Sequence, residues 1–225
     1  MLDALEASWR DRRSIRAFRP EPIPRPTLER LFAAAQAAPS WCNVQPWRVC
    51  ITEPPKTAQL ADALQTAAKS GLPHAEVPFP LDYPSPYKEQ RQACGVALYQ
   101  AMGIARDDKA MRQDWVLRGF RQFDAPVCVI VTFDKELEGM DDAPFDCGAV
   151  ATALVNAAWS RGLGAVINSQ GIMQSPVVRE HAGIADDQVI MKSIALGWPD
   201  ESFPANAVVS TRKTVDEATT FVGFD

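Results

Sequence analysis

Apolar positions recur at helical spacing from the start of the chain. Leu2, Leu5 and Trp9 share one face, which predicts a first helix over 1–12, ending near the Arg12-Arg13 pair. Pro20, Pro22, Pro24 and Pro26 then enforce an extended connector and allow a second helix to start at Pro26. Leu28, Leu31, Phe32 and Ala35 form its buried stripe, and it must stop by Pro39. Trp47-Arg-Val-Cys-Ile-Thr52 alternates and is β-prone, the pattern of a strand. Residues 56–69 read as an alanine-rich amphipathic helix with Leu60 and Leu64 on one face.

From Gly71 to Pro86 prolines and aromatics crowd together without a period, which predicts a surface excursion or lid. Helices follow at about 88–102, closed by Gly103, and at 108–121, with Asp107 as N-cap. Val127-Cys-Val-Ile-Val-Thr-Phe133 is a continuous run of largely β-branched residues, as in a strand buried on both faces. Residues 145–161 are apolar almost all round and end at Gly162, so they are expected to form the central core helix. Ala165-Val-Ile-Asn168 and Val189–Leu196 supply two more strands, with a short helix begun by Ser175-Pro176 between them. No repeat, low-complexity tract or linker divides the chain. The expectation is one helix-rich α+β domain over 1–225.

Composition narrows the function more than the fold. Hydrophobic residues make up 47% and charged residues 23% of the 225, ordinary globular usage, and a chain of this size can bury its own core without disulfides or a metal. A net charge of −5 argues against a general nucleic-acid binder. Cys42, Cys50, Cys94, Cys128 and Cys147 are scattered and form no C-x-x-C pair, which predicts free thiols and no metal site. The N-terminus lacks the basic start and apolar run of a signal peptide, and no stretch approaches the ~18 apolar residues of a membrane span. The expected location is the cytoplasm.

Two segments carry candidate chemistry. Arg12-Arg13-Ser14-Ile15-Arg16 places three guanidinium forks and a hydroxyl within five residues, donors suited to a phosphate monoester and equally to a solvated turn. Ala38-Pro39-Ser40-Trp41-Cys42-Asn43-Val44-Gln45-Pro46-Trp47 sets two amides, Asn43 and Gln45, between prolines and large aromatics. Such amides can meet the O2 and N3–H of a flavin ring, or simply make turns. Glu53, Asp82, Asp107 and Asp108 read as solvated or capping residues, and His181 as structural or exposed.

Taken together with sequence further on, these segments resemble the FMN-dependent nitroreductase family, and the proline- and tyrosine-rich stretch holding Tyr83, Tyr87 and Arg91, followed by Ala101-Met-Gly-Ile-Ala-Arg-Asp-Asp108, looks like its nitrobenzoate and nitrobenzene reductases. Asp146-Cys-Gly-Ala-Val-Ala-Thr-Ala-Leu-Val-Asn-Ala-Ala-Trp-Ser-Arg-Gly-Leu-Gly164 is similar to the family's central helix. Ile194-Ala-Leu-Gly-Trp-Pro-Asp-Glu201 is similar to its strand end, and Ser210-Thr-Arg-Lys-Thr-Val-Asp-Glu217 to its C-terminal basic motif. The resemblance implies an α+β nitroreductase-like fold, a central mixed or antiparallel sheet flanked by helices around a long buried core helix. It further implies FMN held by Arg12, Arg13 and Ser14, joined by Arg212 and Lys213. Arg16 would sit near flavin N1 and O2, Asn43 at the ring edge, and the backbone of Gln170 and Gly171 at N5 and O4. The implied cofactor site lies at a homodimer interface, with Pro39, Ser40 and Trp41 reaching the other subunit's FMN. Many relatives are acidic where this chain has Gln170, and basic or proline residues are frequent where it has Ser210 and Thr214.

The implied activity is a ping-pong cycle in which NAD(P)H reduces the flavin and a small electron-poor acceptor, a nitroaromatic or quinone, reoxidises it. Tyr83, Tyr87 and Arg91 are the implied acceptor-side residues, Arg91 facing a substrate carboxylate or merely pairing on a helix surface. The alternatives are a dehalogenase-like or flavin-fragmenting member of the same fold, and a non-catalytic flavin-binding protein.

Overall fold

The least polar strand of the sequence lies at the centre of the sheet. In the computed structural model, which describes residues 2–78, 80 and 82–224 apart from the side chains of Leu2 and Ala4, β2 (Val127–Asp134) is buried from Val127 to Phe133. It pairs with β1 (Trp47–Thr52) on one edge and β4 (Gln188–Gly197) on the other, and β4 pairs with β3 (Gly164–Asn168). The order is β1-β2-β4-β3 and every pair is antiparallel.

Successive side chains of β2 point to opposite faces, and each face has its own helices. Val129 and Val131 pack, with Ile194 and Leu196 of β4, under α2 (Arg25–Ala35) and α6 (Asp142–Trp159). Cys128 and Ile130 pack with Leu60 and Leu64 of α3 (Lys56–Ser70) and Val178 of α7 (Ser175–Ala182). Leu60, Leu64, Ile130, Ile190, Ile194 and Leu196 are fully buried, each worth roughly 1.5–3 kcal/mol of transfer free energy. α5 (Lys109–Phe120) packs against α3, α4 (Tyr87–Ala101) meets the turn at Pro204–Ala207, and α1 (Leu2–Asp11) lies near α6.

The free edge of β3 is covered by the chain that leaves α1. Ser14 bridges Ala165 in parallel, the Ile15 N–H donates to the Ala165 carbonyl at 3.1 Å, and the Arg19 N–H to that of Trp198 at 2.8 Å. Covering an edge in this way removes a template for aggregation. The approach is close: a Cβ on Gly164 would lie 2.7 Å from Ile15 Cγ1, so only glycine fits there.

Several expectations shift. Arg25 precedes Pro26 in α2, and α5 is capped by Asp108 rather than Asp107, its Oδ1 accepting the Met111 N–H at 2.9 Å. α6 starts at Asp142, three residues early, and is not enclosed all round, because Phe145 is 76% exposed and Gly148 and Thr152 lie open on the same side. Its sequence is apolar on two faces, but one sheet can cover only one of them.

The expected lid at 71–86 is fastened along its first half. The His74 N–H donates to the Met173 carbonyl at 2.7 Å, and Glu76 accepts the Ile190 N–H at 2.7 Å and Arg179 Nη2 at 2.6 Å. Residues 71–78 are therefore a strap across α7 and β4. Phe79 and Leu81 of that stretch lie outside the described residues, as do Met1, Asp225 and the side chain of Leu2 from the predicted α1 stripe.

The sequence reading omitted α8 (Val215–Ala218), whose capping box joins Thr214 and Glu217. Among the described residues no helix is long and apolar enough to cross a membrane, and no group of three or more His, Cys, Asp or Glu could hold a metal ion.

Candidate functional site

The arginine cluster begins where α1 stops and runs alongside β3. Arg12 is half-buried and held below its ordinary pKa, first by burial and then by repulsion from Arg212. Arg212 Nη1 is turned back to its own segment, donating to the Ser210 carbonyl at 3.1 Å and the Thr211 carbonyl at 2.9 Å. Among the described residues no carboxylate pairs with Arg12, Arg13, Arg16 or Arg212. Guanidinium groups gathered without an acid form a site for an anion. Arg13 lies over Trp159, the last residue of α6, 5.8 Å from its ring centroid.

Arg16 is fixed through its backbone. Its N–H donates to Asn206 Oδ1 at 2.6 Å, and its carbonyl accepts Arg118 Nε at 3.3 Å. Asn206 is itself buried, its Nδ2 donating to the Ala17 carbonyl at 2.9 Å and the Asp200 carbonyl at 2.8 Å. The guanidinium donates to the Ser14 carbonyl at 3.1 Å, and burial draws its pKa down while Cys94 of α4 opposes this.

The parallel bridge from Ser14 to Ala165 sets Arg16 level with Ile167, just before β3 gives way to the turn at 168–171. A buried amide network supports that turn. Asn168 Nδ2 donates to the Gly119 carbonyl at 2.7 Å and Gln122 Oε1 at 3.0 Å, Ser193 Oγ to the Asn168 carbonyl at 2.7 Å, and Gln122 Nε2 to the Gly171 carbonyl at 3.3 Å. Gln122, Phe123 and Asp124 all hold positive φ, 56°, 55° and 57°. For non-glycine residues this costs about 1–2 kcal/mol each, and it persists because the network fixes Gln122. A Cβ on Gly171 would collide with Gln122 and Ser193, so the network presses directly on this glycine.

Of the two backbone N–H groups expected at flavin N5 and O4, those of Gln170 and Gly171, one is already engaged. The Gln170 N–H donates to Asn168 Oδ1 at 3.1 Å, and its side chain donates to the Val116 carbonyl at 2.9 Å. The buried Gly171 N–H has no hydrogen-bond acceptor among the described residues. An unpaired buried donor is rare and calls for a partner.

The loop of Pro39, Ser40, Trp41 and Asn43 lies elsewhere. The Trp41 N–H donates to Asp146 Oδ2 at 3.1 Å, and Ser40 Oγ accepts the Gln45 N–H at 3.0 Å. Cys42, Asn43 and Gln45 hold positive φ of 42°, 62° and 50°, and Trp41 is 64% exposed. Asp146 and Trp159 are thirteen residues apart on α6, about 20 Å along the axis. Within one chain the loop and the Arg13 end of the cluster therefore do not meet.

The expected acceptor-side residues gather at the start of α4. Arg91 lies 5.8 Å from the ring centroid of Tyr83, and Lys213 lies 5.6 Å from that of Tyr87. Between α4 and the segment 208–213 runs a cleft of about 480 Å³, lined by Cys94, Ala97, Arg212 and Lys213. It links the Arg16 and Arg12 ends of the cluster, because Cys94 neighbours Arg16 and Arg212 neighbours Arg12. Asn206, Arg118, Asp146 and the Gln122–Asn168–Ser193 network escaped the sequence reading. Only the Asn168-Ser-Gln-Gly171 turn carried a local signal for them.

The nitroreductase family matches residues 9–198. A nitrobenzene nitroreductase from Ectopseudomonas oleovorans is 36% identical over 217 residues, 95% of this chain and 94% of that protein. A chloronitrobenzene nitroreductase from Comamonas testosteroni is 34% identical over 95% of this chain and 94% of its own length. The solved FMN and NADPH-dependent nitroreductase NfnB from sphigopyxis sp. strain HMH superposes with a TM-score of 0.92 at 30% identity, covering 98% of this chain and 99% of that one.

Proposed function

The chain belongs to the nitroreductase family, and on that premise we propose that it is an FMN-dependent NAD(P)H oxidoreductase that reduces small nitroaromatics as a pair of identical subunits. One observation carries the reading. Arg12 and Arg212 stand close without a carboxylate, at one end of a site whose other end offers the buried, unpaired Gly171 N–H. An anion is wanted at the first place and an acceptor at the second, and FMN has both.

When bound, FMN supplies the redox chemistry, taking hydride from NAD(P)H and passing two electrons to the acceptor in alternate half-reactions. The chain's own residues bind and orient. Arg12, Arg13, Ser14, Arg212 and Lys213 hold the phosphate. Arg16 sets a half-buried positive charge toward the N1 and O2 edge, where electron uptake builds negative charge. Gly171 offers a donor to the N5 and O4 edge, and Tyr83, Tyr87 and Arg91 shape the acceptor's side. A nitro group that accepts two electrons and two protons loses one oxygen as water and becomes nitroso. A second equivalent yields the hydroxylamine, and quinones are a second acceptor class.

The open face of α6 supports the pairing of subunits. That face, with Trp9, Ala37 and Pro39 beside Phe145, Gly148 and Thr152, borders an apolar groove of about 680 Å³, and Asn156 of the same helix has a buried Oδ1 with no partner among the described residues. Two copies packed antiparallel through this face bring one chain's Pro39–Asn43 loop to the other's Arg13 end, closing the 20 Å gap. The free thiols suit a reducing cytoplasm, where NAD(P)H is made.

The test is anaerobic turnover with NAD(P)H and nitrobenzene, with products separated chromatographically. Two NAD(P)H consumed per hydroxylamine formed supports the reading. Oxidation of NAD(P)H with the nitroarene recovered intact rejects it.

A further inference from the structure

Lys192 occupies a place in the sheet where an apolar residue would be expected. It lies on β4, in the same alternating row as the fully buried Ile194 and Leu196. It is half-buried, and burial lowers its pKa. Among the described residues no carboxylate pairs with it, and its ammonium donates to Ser169 Oγ at 2.9 Å.

A half-buried cation with a neutral hydroxyl as partner is a cost to the fold. Sequences break a local rule in this way mainly where function requires it. Two further features point the same way. Asn168 pairs with Ser193, so β4 continued beyond the end of β3 brings Lys192 beside Ser169, within the turn that carries Gln170 and Gly171. The ladder with β2 also slips at this point. Val131 pairs with Lys192 and Thr132 with Ile190, so Met191 bulges out of register. A bulge next to a functional site re-aims the neighbouring side chain.

We propose that Lys192 is a positioning residue of the cofactor site, holding the 168–171 turn through Ser169 and placing a positive charge behind it that favours reduced FMN over oxidised FMN. The proposal rests on the flavin reading above. Its chemistry is electrostatic: reduction adds negative charge to the ring system, and a nearby unpaired ammonium attracts that charge most where water is excluded.

The experiment measures, anaerobically, the dissociation constants of oxidised and of reduced FMN for the wild-type protein and for Lys192→Met, Lys192→Arg and Ser169→Ala. Lys192→Met is expected to bind oxidised FMN within about twofold of wild type and reduced FMN about tenfold more weakly, a midpoint about 30 mV lower for a two-electron couple. Lys192→Arg keeps the charge and restores the ratio, and Ser169→Ala keeps most of it. Lys192→Met is also expected to be at least as resistant to urea as wild type, because the fold no longer carries the unpaired charge.

An unchanged ratio in Lys192→Met overturns the proposal. So does a loss of equal size in Lys192→Arg, or a Lys192→Met protein that fails to fold, which would make the lysine a structural residue. In each of these cases the wild type still binds FMN and the flavin reading stands. A wild type that binds neither form defeats both.

Discussion

Cys147 of α6 and Cys128 of β2 sit in the core as thiols, and burial raises both, Cys147 to about 12 with a further contribution from Asp146, and Cys128 further still. The unfolded chain releases these protons near the ordinary thiol value of about 8.5, whereas the folded chain retains them. Stability is therefore fully present below that value and is lost as pH rises toward the folded pKa. For Cys147 the loss approaches 1.4 kcal/mol per pH unit above about pH 9. Urea midpoints should fall between pH 8 and pH 10.5, and Cys147→Ala should flatten that decline. An equal slope in wild type and variant would show that another group titrates.

Other residues matter through partners that no local pattern reveals. The bond from the Arg16 N–H to Asn206 Oδ1 spans 190 positions, and that from Asn168 to Gln122 spans 46. The arginine cluster was legible because charge density is a local property. The amides that aim it were not, because a buried amide is defined by what the fold sets opposite it.

At the scale of elements, β2, α3 and the closing glycines of α4 and α6 were legible, since periodicity and positive-φ glycine act over a few residues. Gly103 and Gly162 hold φ of 66° and 74°. The α8 capping box, Thr214 to Glu217, is a local signal of the same kind. The strap at 71–78 was not legible, because it has no period and is held by contacts to elements a hundred residues away. Arg179 is its main fastening, donating to Glu76 Oε1 at 2.6 Å and to the carbonyls of Gln188 at 2.8 Å and Ile184 at 3.3 Å. Arg179→Ala leaves those acceptors unpaired and should cost roughly 2–3 kcal/mol, with earlier proteolysis within 71–78. A urea midpoint unchanged by the substitution would mean that the strap is held elsewhere.

At the scale of the molecule, the sequence marked α6 as apolar all round without saying whose surface would cover each side. The fold assigns one face to the sheet and leaves Phe145 and its neighbours open. Under the proposed pairing, that open face brings the predicted residues at the two ends of α6 into one site. Phe145→Glu should therefore act at a distance: sedimentation should show the wild type as a dimer and the variant as a monomer, with FMN held at least about tenfold more weakly, ~1.4 kcal/mol. A monomeric variant that keeps full affinity for FMN would place the whole cofactor site within one chain.

The decisive measurement is an anaerobic absorption spectrum of the purified, FMN-loaded protein, taken before and after NADH or NADPH and again after 4-nitrobenzoate. Flavin bands should bleach with the nucleotide and return with the nitroarene, one half-reaction at a time. Bands that never bleach, or protein that keeps no flavin after reconstitution, would refute an FMN-dependent reductase.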